Sequence, residues 1–177
     1  WVEDEMTYGL KDSAPKVLFC DQERLARYLN IRDEFPGITT VGVRLPNTTR
    51  DVINYAEVIA TGGDLPEVNV DPDTDACIFY TSGTTGYPKG AQLTHRGCVH
   101  NIMNLGFAAQ VTGLSTARIN NVEPPNPEDV EPPSALVTTP MFHVTANNCL
   151  AQGTTVAGGK LIHMYRWDAG EALKIIE

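Results

Sequence analysis

The 177-residue sequence has no apolar run of the roughly 18 residues that a membrane-spanning helix requires. Its first residues also lack the basic and apolar segments of a secretory signal peptide, so the sequence predicts a cytoplasmic protein without a transmembrane segment. The chain begins at Trp1 rather than at methionine, which favours a processed chain or a piece of a longer one. With 42% hydrophobic and 20% charged residues, the composition is typical of one globular domain.

Basic residues are few. The chain carries 13 lysines and arginines against 22 aspartates and glutamates, which gives a formal net charge of −9. Nucleic acids and anionic membranes attract proteins through a basic face. The charge balance therefore argues against general affinity for either, and no nucleic-acid partner is expected.

Paired cysteines and clustered metal ligands are also missing from the sequence. The four cysteines contain no Cys-x-x-Cys pair, and the four histidines are not spaced with them as zinc ligands would be. We therefore predict four reduced thiols, some of them buried, and no metal site. The cysteines are Cys20, Cys77, Cys98 and Cys149.

Acidic residues are absent from one long stretch of this acidic chain. Residues 76–122 contain none, whereas the average composition would place about 6 there. The same stretch carries Lys89, Arg96 and Arg118. Burial of strands and helices explains such a gap, and so does a bound anionic ligand. The motif within the stretch favours the ligand.

Hydrophobic patterning predicts strands that alternate with helices. This order is typical of an α/β fold with a mostly parallel sheet and helices on both faces. An acidic connector is predicted at 62–75 and an acidic, proline-rich loop at 120–133, to which no chemistry is assigned. Strands are predicted at 16–20, 39–44, 76–80, 134–139 and 160–165, and helices at 22–30, from Thr49 or Asp51 to Ala60, and at 94–110, 146–156 and 169–176.

The segment 81–90 reads Thr-Ser-Gly-Thr-Thr-Gly-Tyr-Pro-Lys-Gly and is predicted to link a strand to a helix. Its glycines let the backbone turn sharply, and its four hydroxyls and Lys89 can donate to phosphate oxygens. It is not a Walker loop, because Lys89 follows Pro88 instead of standing between a glycine and a Ser or Thr. We predict a polyphosphate-binding loop at the carboxyl end of the strand 76–80.

These residues resemble a known motif. Segment 80–96 is similar to the phosphate loop of the adenylate-forming (AMP-binding) superfamily, which includes acyl-CoA synthetases, peptide-synthetase adenylation domains and luciferases. Segment 139–144, Thr-Pro-Met-Phe-His-Val, resembles a proline–apolar–Phe–His segment of fatty acyl- and aryl-CoA ligases. Residues 157–159 with 166–168, and the stretch 8–17, resemble further parts of the family, so the resemblance covers nearly the whole chain.

The resemblance implies a fragment of an AMP-forming acyl-CoA synthetase. In that family ATP activates a carboxylic acid, here expected to be a fatty acid, to an acyl-adenylate with release of pyrophosphate, and coenzyme A then displaces AMP. His143 is the candidate catalytic residue, on the acyl side of the site, whereas His95 and Arg96 are expected to be structural. The resemblance assigns the β- and γ-phosphates of ATP to Thr81, Ser82, Gly83, Thr84, Thr85, Gly86 and Lys89.

Other motifs of the family have no counterpart in the sequence. These are the Tyr-Gly-x-Thr-Glu segment whose Glu helps to hold Mg²⁺, the ribose-binding Asp, and the C-terminal domain with its adenylation lysine. The expectation is that residues 1–177 are a central fragment of the N-terminal domain, with the Mg²⁺ ligands mostly outside it. Such a fragment is predicted to be inactive alone and to self-associate through truncated apolar faces.

Two other interpretations stay open. One is an amino-acid adenylation domain of a peptide synthetase, which would use the same loop with a different acceptor. The other is an anion- or nucleotide-binding module without catalytic activity. The Phe142-His143 pair favours the acyl-CoA synthetase over the first of these.

Overall fold

A computed structural model describes residues 1–81, 86–126 and 129–177. These residues form two units. The first unit comprises Trp1–Asn69 with Gly86 and Tyr87, and the second comprises residues 70–81 and 88–177. None of the helices among the described residues is both long enough and apolar enough to cross a membrane.

The first unit contains a parallel sheet of three strands with β2 in the centre. Strand β1 pairs with β2 from Val17 opposite Thr39 to Cys20 opposite Gly42. A short 3₁₀ turn at Arg32–Glu34 follows the second helix. The elements are α1 (Glu3–Ser13), β1 (Val17–Cys20), α2 (Gln22–Ile31), β2 (Thr39–Gly42), β3 (Ile53–Asn54) and α3 (Tyr55–Ala60).

The core of the first unit lies between α1, β1 and α2. Leu10, Cys20, Leu25 and Tyr28 form one buried cluster, in which Tyr28 is only 2% exposed. Helix α2 begins as its sequence predicts, because the Asp21 carboxylate accepts a hydrogen bond from the Arg24 N–H at 3.0 Å.

One helix of the first unit was not predicted, and one expectation for this unit was wrong. Helix α1 was not predicted, although Glu3, Asp4 and Glu5 in its first turn and Lys11 in its last match the helix dipole. The helix expected to start at Thr49 or Asp51 starts only at Tyr55. It begins there because the Asn54 side chain caps it, after Ile53–Asn54 has paired with β2.

The second unit contains one antiparallel hairpin, β4–β5, and one parallel pair, β6–β7. A π-helical segment, Thr145–Ala151, precedes α5, and the left-handed backbone of Gly158 (φ +67°) follows it. The elements are β4 (Asp75–Thr81), β5 (Lys89–Thr94), α4 (His95–Ile119), β6 (Ser134–Val137), α5 (Gln152–Val156), β7 (Lys160–His163) and α6 (Ala169–Ile176).

The α/β fold with a parallel sheet and helices is confirmed, and the hairpin is its antiparallel exception. Strand β5 was not predicted, and the helix expected at 94–110 runs instead from His95 to Ile119. The predicted cap of the last helix is confirmed, because Asp168 accepts the Glu171 N–H at 2.9 Å.

Candidate functional site

The hairpin β4–β5 holds the two ends of the predicted phosphate loop side by side. Thr81 is the last residue of β4 and lies opposite Lys89, the first residue of β5. The Thr81 hydroxyl donates a hydrogen bond to the Lys89 carbonyl oxygen at 3.3 Å. Gly90, the next residue of β5, lies opposite Tyr80. Glycine is needed at this position because a Cβ would lie 2.9 Å from the Ile78 side chain. The close pairing of the strands therefore fixes the mouth of the loop.

The sequence pattern predicted that the loop leads directly into a helix. In the structure the loop connects the two strands of a hairpin, and β5 intervenes before α4. Gly86 adopts φ +134°, a conformation that favours glycine. The Lys89 side chain is exposed, and none of the acidic residues in the described part of the chain forms an ion pair with it. Ser82, Gly83, Thr84 and Thr85 lie outside the described residues.

His143 lies in a turn that follows β6. Its backbone N–H donates to the Pro140 carbonyl at 2.9 Å, and its Nδ1 accepts the Thr145 N–H at 3.1 Å. With Nδ1 acting as the acceptor, a neutral imidazole carries its proton on Nε2. The exposed side chain is thus oriented as a hydrogen-bond donor through Nε2.

The carboxyl ends of β6 and β7 meet at one edge because the strands are parallel. A cavity of about 300 Å³ lies there, lined by residues 137–141 and 163–167. The sequence pattern predicted β6 and β7 but not this cavity. A usable signal was present, since parallel strands place the residues after their carboxyl ends together. Arg166 and Trp167 line this cavity. In the sequence these two residues were singled out only as part of a family resemblance.

The first turn of α4 is occupied by contacts within the chain. Thr94 caps the helix by accepting the Gly97 N–H at 3.1 Å, and the N–H groups of His95 and Arg96 donate to carbonyls of the preceding connector. The Arg96 guanidinium binds both oxygens of Asp73, at 2.7 and 3.0 Å, and this hydrogen bonding lowers the pKa of Asp73. These contacts give the Arg96 side chain a structural role and leave the first three N–H groups of the helix unavailable to an anion.

The described residues do not offer a ligand set for a divalent cation. Within ranges 1–81, 86–126 and 129–177, no group of three His, Cys, Asp or Glu side chains is placed to hold a metal ion.

The arrangement of strands, loop and helix is shared with proteins of one family. The family model described as AMP-binding enzyme matches residues 1–177. The chain belongs to the AMP-binding enzyme family. Among curated relatives, 4-coumarate-CoA ligase 1 of Narcissus pseudonarcissus is 31% identical over 136 residues, which cover 76% of this chain and 22% of that protein. The chain thus spans about a fifth of the length of the relatives that it matches.

Solved structures of the family agree with the fold. The luciferase-like enzyme of the nonluminescent Zophobas morio mealworm aligns over 100% of this chain and 37% of its own, with a TM-score of 0.72 and 19% identity. The N-terminal domain of FACL13 from Mycobacterium tuberculosis aligns over 99% of this chain and 38% of its own, with a TM-score of 0.68 and 26% identity. Membership of the adenylate-forming superfamily, expected from the loop and the 139–144 segment, is confirmed.

Proposed function

We propose that this chain supplies the phosphate-binding hairpin and one wall of the acid-binding site of an AMP-forming acyl-CoA synthetase. The enzyme would join a carboxylic acid to ATP, forming an acyl-adenylate and pyrophosphate, and coenzyme A would then displace AMP. The observation that carries this proposal is the pairing of Thr81 and Lys89 at the mouth of a glycine- and hydroxyl-rich loop. No acidic residue occurs between them to repel a polyphosphate.

The loop would act on the leaving group. The Lys89 ammonium would neutralise the charge that develops on pyrophosphate, and the Thr81 hydroxyl would exchange its bond to the Lys89 carbonyl for a phosphate oxygen. Donors placed in advance where charge develops lower the barrier. The other proposed contacts are Ser82, Gly83, Thr84, Thr85 and Gly86.

His143 would act on the other side of the reacting bond. Because Thr145 holds Nδ1 as an acceptor, the group available to a ligand is the Nε2–H donor. Such a donor can orient the substrate carboxylate or stabilise an oxygen of the α-phosphate, and in this tautomer it does not act as a base at Nε2. We therefore assign His143 a positioning and electrostatic role.

The acid substrate is proposed to be a fatty acid, as the resemblance implies. An aromatic propenoic acid is the second candidate, because relatives at 31% and 35% identity are named 4-coumarate–CoA ligases. These two acids share the reaction and differ only in the group that fills the acyl pocket.

A pyrophosphate-exchange assay with the complete enzyme would decide among the candidates. Labelled pyrophosphate should enter ATP only in the presence of the correct acid, and we would compare fatty acids of several lengths, 4-coumarate and a set of amino acids. Exchange with a fatty acid or with 4-coumarate supports the synthetase, and subsequent thioester formation requires coenzyme A. Exchange with amino acids alone indicates a peptide-synthetase domain, and no exchange with any acid favours a binding module.

The 177-residue chain by itself is proposed to be inactive, because nothing in it matches the family's Mg²⁺, ribose or adenylation-lysine positions. Catalytic groups that act as a unit lose activity together when one is absent. Purified chain, ATP, magnesium, acid and coenzyme A should yield no AMP above a blank made with Lys89→Ala. AMP formation above that blank would refute the proposal.

Self-association, measured by sedimentation, and a cytoplasmic location stay predictions.

A further inference from the structure

A chain of side-chain amides lies between the turn after β6 and helix α4. Asn147 Nδ2 donates to the Met141 carbonyl at 3.4 Å, and Asn147 Oδ1 accepts from Gln152 Nε2 at 3.3 Å. Gln152 Oε1 accepts from Asn148 Nδ2 at 3.4 Å, and the same Nδ2 donates to Cys98 Sγ at 3.2 Å. The amide chain of Asn147, Gln152 and Asn148 therefore joins a backbone carbonyl of the turn to a buried sulfur atom of the helix.

The π-helical turn allows one glutamine to contact two asparagines. An α-helix places residues three or four positions apart side by side, which accounts for the contact of Asn148 with Gln152. The contact of Asn147 with Gln152 spans five positions and requires the wider turn of Thr145–Ala151. Such π turns frequently occur at functional sites. The irregular turn thus creates a specific link that a regular helix would not make.

The Met141 carbonyl fixes the direction of each amide in the chain. A backbone carbonyl only accepts, so Asn147 must turn Nδ2 towards it and present Oδ1 to Gln152. Gln152 then donates through Nε2 and accepts through Oε1, so Asn148 must face it with Nδ2. Asn148 is 3% exposed, and its Oδ1 has no hydrogen-bond partner among the described residues. An unpaired buried acceptor costs free energy, but reversing this amide would place two oxygens against each other.

Asn147 holds the turn that carries His143 at two points. Its side chain binds the Met141 carbonyl, and its backbone N–H donates to the His143 carbonyl at 3.0 Å. Within the turn, the His143 N–H donates to the Pro140 carbonyl at 2.9 Å. The orientation of the imidazole therefore depends on a turn whose carbonyls Asn147 fixes.

The other end of the amide chain is anchored on α4. Cys98 is 8% exposed in the first turns of this helix, and Asn101 Nδ2 donates to the Asn148 carbonyl at 3.0 Å. Helix α4 follows directly after β5, the second strand of the phosphate hairpin. The amide chain thus ties the His143 turn to the helix that continues from this hairpin.

We propose that Asn147 is a positioning residue for His143. It fixes the 140–143 turn, so that the imidazole keeps Nδ1 on the Thr145 N–H and presents Nε2–H to the reacting groups. Asn147 acts through the turn and not on the substrates. This inference rests on the proposed function of His143, but the orientation of the imidazole is measurable without any activity.

The first test is NMR of the chain labelled with ¹⁵N-histidine, at a pH where the imidazole is neutral. In the unmodified chain His143 should show a protonated Nε2 and an unprotonated Nδ1. Asn147→Asp keeps the oxygen that faces Gln152 but loses the donor to Met141, so it should shift His143 towards the tautomer mixture of free histidine. Asn104→Asp, the same change at an exposed position of α4, is the matched control and should leave the His143 signals unchanged.

The second test is pyrophosphate exchange by the complete enzyme. Asn147→Asp should lower kcat about tenfold, because a misplaced group loses its effect on the reacting atoms. KM for ATP should change by less than about twofold, because the phosphate hairpin is unaltered. Gln152→Glu keeps the acceptor for Asn148 but loses the donor to Asn147, and it should change kcat and the His143 signals in the same direction.

Circular dichroism establishes that each variant is folded, and Gln152→Glu decides if Asn147→Asp does not fold. Unchanged His143 signals in the folded variant, or an equal change in Asn104→Asp, would overturn the proposal. An equal loss in kcat and in ATP affinity would also overturn it. If the unmodified enzyme exchanges pyrophosphate with no acid, the proposed function fails, and the His143 signals alone decide the positioning role.

Discussion

The two units bury different kinds of side chain. In the first unit the core consists of Leu10, Leu25 and Tyr28 with Cys20, a cluster of large residues around one aromatic ring. In the second unit the described buried residues are small, and α4 exposes large ones such as Phe107, which is 70% exposed. The buried apolar residues of the second unit are Cys98, Ala117, Val137, Ala146, Ala151 and Ala172.

This difference in buried side chains assigns most of the core stability to the first unit and the proposed site residues to the second. Large buried side chains supply most of the free energy of folding, and the first unit has them. The residues proposed to act on ATP and the acid, Thr81, Lys89 and His143, all lie exposed in the second unit. Substitutions of the large core residues in the first unit should therefore cost the most free energy of unfolding, and substitutions of the proposed site residues in the second unit should change activity.

The largest expected effect comes from Tyr28→Ala. Tyr28 is 2% exposed and lies in the core cluster of the first unit, so truncation leaves a cavity. We expect the free energy of unfolding to fall by about 3–5 kcal/mol, measured by urea denaturation. The matched control is Phe107→Ala in α4, an aromatic truncation at an exposed site, which should cost less than about 0.5 kcal/mol. Equal costs at the two sites would remove the distinction between the units.

The next effect is catalytic and belongs to the second unit. In the complete enzyme, Lys89→Ala should slow adenylation by about 10- to 100-fold, because a charge-assisted contact contributes roughly 1.5–3 kcal/mol. The measurement is the pyrophosphate-exchange rate. Thioester formation from synthetic acyl-adenylate should change much less, because pyrophosphate takes no part in it.

Lys160→Ala is the matched control for this substitution. Lys160 is also exposed, but it lies at the first position of β7, the end opposite the cavity. Its loss should leave both half-reactions unchanged. Equal losses in both half-reactions for Lys89→Ala would show that Lys89 supports the fold and does not contact the leaving group.

The strands that the sequence predicted have apolar or β-branched runs, such as Val17–Cys20 and Thr39–Gly42. Strand β5 lacks such a run, since it reads Lys-Gly-Ala-Gln-Leu-Thr, and its strand conformation comes from pairing with β4. Tertiary pairing therefore overrides a weak local preference. Because β5 was missed, the sequence pattern wrongly predicted that the loop leads directly into a helix.

The candidate site was predictable only where its chemistry is local in sequence. Hydroxyls, glycines and Lys89 stand within ten residues, so their composition and order alone indicate a phosphate loop. The contact of Thr145 with His143 needed the turn geometry after β6. The cavity at the carboxyl ends of β6 and β7 depends on packing between two separate strands and the residues that follow them.

The dependence of stability on pH should report on the buried Cys20 in the core of the first unit. Burial, with a smaller effect of the Asp21 carboxylate, raises the pKa of Cys20 from 9.0 to about 11. The folded chain thus holds this proton more tightly than the unfolded chain does. The contribution of Cys20 to the free energy of unfolding should be fully present below pH 9 and should be lost between pH 9 and about 11, by up to about 2.7 kcal/mol. Cys20→Ala should flatten that part of the stability curve; an equally steep fall in the variant would assign it to other groups.

The smallest expected effect is that of Asp73→Asn in the second unit. Asp73 and Arg96 are both exposed, so their ion pair is weakened by solvent and salt in spite of its two hydrogen bonds. Arg96 lowers the pKa of Asp73, so the pair stabilises the fold above the ordinary pKa of an aspartate and this contribution is lost as the pH falls through the lowered value. The melting temperature of Asp73→Asn should therefore lie slightly below that of the unmodified chain at pH 7 and low salt. The difference should shrink in 1 M salt and as the pH falls to 3, and a constant difference across these conditions would mean that Asp73 acts through packing rather than charge.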